Sequence, residues 1–95
     1  MVTVRRLVID VLKPHDPPLL RFTGRLSETD GVEGVNATLI ELDQEVQNVK
    51  VTLEGPDLDF EAIEATVEGL GGTVHSVDEV ACGEYVVEHR RTLQD

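Results

Sequence analysis

Residues 46–80 read VQNVKVTLEGPDLDFEAIEATVEGLGGTVHSVDEV, and the fold of the chain follows from how this stretch divides. From Val46 to Glu54, apolar Val49, Val51 and Leu53 alternate with Lys50, Thr52 and Glu54, the period of a strand with one buried face. Gly55-Pro56 stops that strand. Phe60, Ile63, Val67 and Leu70 then recur at spacings of three, four and three, which lines up one side of a helix. Asp57 is placed to cap that helix, and Asp59 and Glu61 suit the positive end of its dipole. Gly71-Gly72 ends it, and Thr73 to Val80 returns as a strand.

Working outward, the upstream half repeats the same order. Thr3 to Leu12 is β-branched and apolar on both parities, as a central strand should be. Lys13 to Pro18 breaks it, with Asp16 as N-cap and Pro17 at the first helical position, where a missing N–H costs nothing. Leu19, Phe22 and Leu26 give the next helix its stripe, its end falls around Glu28 or Thr29, and Gly31 stands as its C′ glycine. Val35 to Asp43 alternates as a strand, and Gln44-Glu45 closes a hairpin onto Val46. The order is therefore βαββαβ. Its compact solution is an α+β, ferredoxin-like sandwich, a four-stranded antiparallel sheet with two helices on one face. The chain reads as a single domain over residues 1–95, with a core of about 3–83 and a tail of 84–95.

In this topology the first and third strands are central, and the helices cover Leu7, Ile9, Val11, Val49, Val51 and Leu53. The other face is bare. It carries Arg6, Asp10, Lys50 and Thr38 together with the aliphatics Val8, Leu12, Ile40 and Leu42, a contiguous area suited to association with a second copy. A chain of 95 residues gains burial by associating, so a homo-oligomer is expected.

Charge narrows the partners. The net charge is -11, and Lys13 and Lys50 are the lysines among eight basic residues, so the chain lacks the basic face that nucleic acid or an anionic membrane requires. Its open sheet face also has no aromatics on which bases could stack. Many carboxylates with few lysines suit a halophilic protein in a salt-rich cytoplasm. Cys82 stands alone, which excludes an internal disulfide or an all-cysteine metal site and fits a reducing, cytoplasmic location. The N-terminus lacks the apolar run of an export signal, and no apolar stretch reaches spanning length.

Two clusters carry candidate chemistry. His75, Asp78 and Glu79 lie close together near the last strand with Cys82, donors that a divalent cation takes, although their spacing fits no zinc pattern. Plain alternation puts His75 and Asp78 on opposite faces unless a bulge intervenes. Asp10, Lys13, His15 and Asp16 gather where the first strand passes into the first helix, a place where ligands often bind. Read structurally, Asp16 is a helix cap and Asp10 pairs with Lys50 or Arg6 across strands. The acids from Asp57 to Glu68 are a solvated helix face rather than a calcium loop. Ser27, Ser76 and Cys82 as nucleophiles, with His15 and His75 as bases, have no recognisable catalytic context, so no enzyme is expected.

Five segments read together carry a resemblance: 10–15 (DVLKPH), 31–36 (GVEGVN), 48–55 (NVKVTLEG), 58–64 (LDFEAIE) and 71–80 (GGTVHSVDEV). In this order they resemble the small archaeal family DUF211, from about Val4 to Gly83. The resemblance implies a ferredoxin-like fold, ring-like homo-oligomers and no established activity. The sequence thus leads to a homo-oligomeric binding or regulatory module with ligand sites between subunits. A divalent-cation-binding protein is the alternative, and a small enzyme with a shared interfacial site comes third. Asp10, Lys13, His15, His75, Asp78 and Glu79 are the ligand or metal candidates, and Val8, Leu12, Ile40 and Leu42 the interface candidates.

Overall fold

Alternation in the two central strands places six aliphatic side chains on one side of a sheet, and that side is where the core forms. A computed structural model describes residues 2–88. Its elements are β1 (Val4–Pro14), α1 (Leu19–Ser27), β2 (Gly34–Leu42), β3 (Val46–Glu54), α2 (Phe60–Gly69) and β4 (Thr73–Cys82). The sheet runs β2-β3-β1-β4, every neighbouring pair antiparallel. This is the ferredoxin-like α+β fold. Residues 89–95 of the expected tail lie outside the described residues.

Leu7, Ile9 and Val11 of β1 and Val49, Val51 and Leu53 of β3 pack with Phe22 and Leu26 of α1 and Ile63 and Val67 of α2. Each such side chain contributes about 1.5–3 kcal/mol by leaving water. None of the helices among the described residues is long and apolar enough to cross a membrane.

Both helix starts differ from the sequence reading. Pro18, not Asp16, is the N-cap of α1, because Pro17 precedes a proline and is thereby pushed out of the helical region. In α2 the cap is Asp59, whose Oδ1 accepts from Ala62 N–H at 3.3 Å. Asp57 is too early: Leu58 N–H donates to the Val4 carbonyl at 2.8 Å, which ties this stretch to β1 before the helix begins. Nor is Gly31 the C′ glycine of α1: the helix ends at Ser27 with Glu28 as C-cap, and Gly31 lies in the following turn, closed by Val32 N–H donating to the Thr29 carbonyl at 3.1 Å. Its φ of 87° and its approach to the Asp57 carbonyl leave no room for a Cβ, and a methyl on Gly55 would in turn overlap the Gly31 carbonyl. The two glycines let the connection after α1 cross the end of β3.

The edge strands depart from plain alternation. β2 slips against β3 between Leu39 and Glu41, which leaves Ile40 as the extra residue of a bulge. Leu42 then pairs with Gln47, whose other partner is Lys13, so Leu42 belongs to the helix-side parity and not to the open face. In β4, Val8 pairs with Glu79 and Ile9 with Val77, skipping Asp78, while Asp10 pairs with Ser76 and Val11 with Val74, skipping His75.

Candidate functional site

Strand parity sends Arg6, Val8 and Asp10 of β1 to the face without helices, and antiparallel register brings Asn48 and Lys50 of β3 beside them, opposite Leu12 and Asp10. The bulges complete the surroundings. Ile40 closes one side from β2, and Asp78 and Glu79 close the other from β4. Together they line a depression of about 380 Å³ whose floor includes Val8 and Asp10.

The three carboxylates there are in different states. Asp78 Oδ1 accepts from Ser76 Oγ at 2.7 Å. Glu79 Oε2 lies 3.2 Å from Arg6 Nε. Asp10 is the least satisfied: Oδ2 accepts from Asn48 Nδ2 at a long 3.5 Å, and Oδ1 is buried with no hydrogen-bond donor among the described residues. Lys50 is in register with Asp10, yet among the described residues it makes no ion pair with any carboxylate. The expected pairing of Asp10 with Lys50 or Arg6 is therefore not made. Arg6 turns instead to Glu54, Glu79 and Glu88 at 3.5, 3.2 and 2.6 Å. The Glu88 hydrogen bond is the main influence holding its guanidinium pKa above the ordinary value, against the desolvation that lowers it.

The remaining sequence candidates lie elsewhere. Lys13 is fully buried on the helix side, its Nζ donating to the Pro14 carbonyl at 2.7 Å and to Gln47 Oε1 at 2.9 Å, 5.9 Å from the centre of the Phe22 ring. Burial lowers its pKa, opposed by the charge of Asp16. His15 is exposed and donates from Nε2 to the Asp43 carbonyl at 2.8 Å, bracing the β2–β3 hairpin. His75 is exposed and does not line the depression. The structure thus brings together Asp10, Asp78 and Glu79 and separates them from Lys13, His15 and His75. Among the described residues no three His, Cys, Asp or Glu side chains converge as a metal site would require.

The aliphatic candidates also divide. Val8 lies on the open face but is only 4% exposed, enclosed between its register partners Thr52 and Glu79. Leu12 is half-buried, Ile40 is 57% exposed on the rim, and Leu42 is exposed on the other side of the sheet edge. The expected apolar patch of four is reduced to Ile40 with partial help from Leu12. Lys50 and Asn48 are not among the sequence candidates; their parity on β3 marks the face, and only the β1–β3 register places them next to Asp10. A larger concavity of about 600 Å³ lies at the far end of β1, where Arg5 Nη1 donates to the Glu84 carbonyl and Cys82 is exposed. No comparable set of charges gathers there.

Comparison with known proteins agrees with the resemblance seen in the sequence. The model of the DUF211 family, described as "Uncharacterized ArCR", matches residues 5–95. The uncharacterized protein MJ0319 of Methanocaldococcus jannaschii is 48% identical over 92 residues, covering 97% of this chain and 95% of that protein.

Proposed function

We propose that this chain, which belongs to the DUF211 family, is a non-catalytic, self-associating module that binds a small ligand on the open face of its sheet, with a second copy closing the site. The observation that carries this reading is the depression itself. A carboxylate oxygen buried without a donor is costly in the isolated chain, and a ligand or a neighbouring subunit supplies what is missing. Aliphatics left in water at both sheet edges, Ile40 and Leu42 on β2 and Val77 and Val80 on β4, support association.

The test is absolute mass by light scattering in roughly molar potassium chloride, which screens repulsion between carboxylates, with and without a chelator. A defined oligomer that Ile40→Asp reduces to smaller species supports the reading. A monomer at all concentrations, or an oligomer indifferent to Ile40→Asp and to substitutions at both edges, refutes it. A divalent cation is the weaker occupant, since Lys50 shares the depression with the three carboxylates; an assembly that dissociates on chelation would restore it. The charge and the lone cysteine favour a cytoplasmic setting.

A further inference from the structure

We infer that the ligand of this depression is a zwitterion with a short apolar side chain, of the α-amino acid class. This rests on the binding reading above and concerns the same site.

Asp78 and Glu79 each have one oxygen engaged, by Ser76 and Arg6, and stand where water reaches the other, whereas Asp10 is the carboxylate with a buried oxygen left unpaired among the described residues. That oxygen is closed to bulk water in the isolated chain, so a charged N–H donor reaches Asp10 by turning its carboxylate toward the depression. Lys50 is the opposite case, a cation across the strand pair from Asp10 without a carboxylate partner among the described residues. Neighbouring strands lie about 4.8 Å apart, so a donor for Asp10 and an acceptor for Lys50 must come from one small molecule with its charges a few bonds apart.

Simple ions fit less well. A free anion satisfies Lys50 but meets the carboxylates of Asp10, Asp78 and Glu79. A free amine satisfies Asp10 but leaves Lys50 as a like charge beside it. An α-amino acid carries both groups on one carbon, its ammonium toward Asp10 and its carboxylate toward Lys50. Val8 on the floor and Ile40 on the rim then receive an apolar side chain. About 380 Å³ is near the lower end for small-molecule sites, which limits the ligand to few heavy atoms.

The experiment is calorimetry on the full chain in potassium chloride with three matched probes: L-leucine, 3-methylbutylamine (the same amine without its carboxylate) and 4-methylpentanoate (the corresponding acid without its amine). L-Leucine is expected to bind at least about tenfold tighter than either partial probe, as the loss of one charge-assisted contact implies. Lys50→Met is expected to bring leucine down to the affinity of the amine, and Asp10→Asn down to that of the acid. Circular dichroism checks that both variants remain folded, and leucine's selectivity against each probe tells a lost contact from a general weakening. Equal binding of leucine and the amine, saturable binding of calcium or magnesium alone, or no heat with leucine would each overturn the zwitterion. If light scattering still shows the Ile40-dependent oligomer in those cases, only the ligand class falls; if it does not, the binding module falls with it.

Discussion

The two faces of the sheet are built from the same two central strands and work under opposite rules. On the helix side, Leu7, Ile9, Val11, Val49, Val51 and Leu53 are buried by α1 and α2, and the one charged group among them, Lys13, is held by a carbonyl, an amide and the Phe22 ring. On the open side, Val8 and Ala81 are enclosed in a field of charges, and Asp10 has an oxygen without a donor among the described residues. The first face is complete within one chain. The second leaves a buried carboxylate oxygen and an exposed lysine unpaired among the described residues, and that asymmetry is why the proposed site is placed there.

The contrast is broken or sharpened most strongly by truncation. Phe22→Ala on the covered face is expected to cost about 3–5 kcal/mol, read as a fall in the urea midpoint. Ile40→Ala on the open face is expected to cost under about 0.5 kcal/mol at concentrations where the chain is monomeric. Equal losses in the monomer would mean that the open face is not open. If the cost at Ile40 grows with protein concentration, a second copy covers it.

A smaller effect separates the two lysines by pH. Burial depresses the Lys13 pKa, so between that lowered value and the ordinary 10.5 the folded chain holds fewer protons than the unfolded one. Stability from this group therefore rises as pH climbs through that window. Lys13→Met is expected to remove that rise, whereas Lys50→Met, at an exposed position, is expected to keep it. Urea midpoints measured across mildly alkaline pH decide this: parallel profiles for the wild-type chain and Lys13→Met would show that Lys13 is not held desolvated.

The same contrast governs what was legible in the sequence. The covered face could be read residue by residue, because burial imposes alternation and alternation is visible along one strand. The open face could not, because its content depends on register between strands. Bulges at Ile40, His75 and Asp78 change which residues face each other, so Leu42 leaves the open face and Asp78 joins Asp10 while His75 does not. Nothing local announces those slips. The burial of Lys13 was hidden for another reason: a lysine after a strand reads as solvated, and its enclosure needs Gln47, distant in sequence, and the ring of Phe22 on the next helix. The misplaced caps at Asp16 and Asp57 show the reverse error, a good local signal overruled by a proline and by a backbone bond to β1.

The smallest expected effect tests where the open face ends. Arg6 Nη1 donates to both Glu88 oxygens, at 2.8 and 2.6 Å, and this contact draws the segment after β4 back toward the sheet. Glu88 is mostly exposed, so the pair is worth roughly 0.2–1 kcal/mol at low salt and less when screened. Glu88→Gln should therefore leave the urea midpoint nearly unchanged in potassium chloride while speeding amide hydrogen exchange at Gly83, whose N–H donates to the Thr3 carbonyl at 2.9 Å. Arg6→Gln should speed exchange there as well, and it also releases Glu79 at the wall of the depression. If only Arg6→Gln alters binding at the depression, the tail is a neighbour of the site; if Glu88→Gln alters it equally, the tail is part of the site's wall.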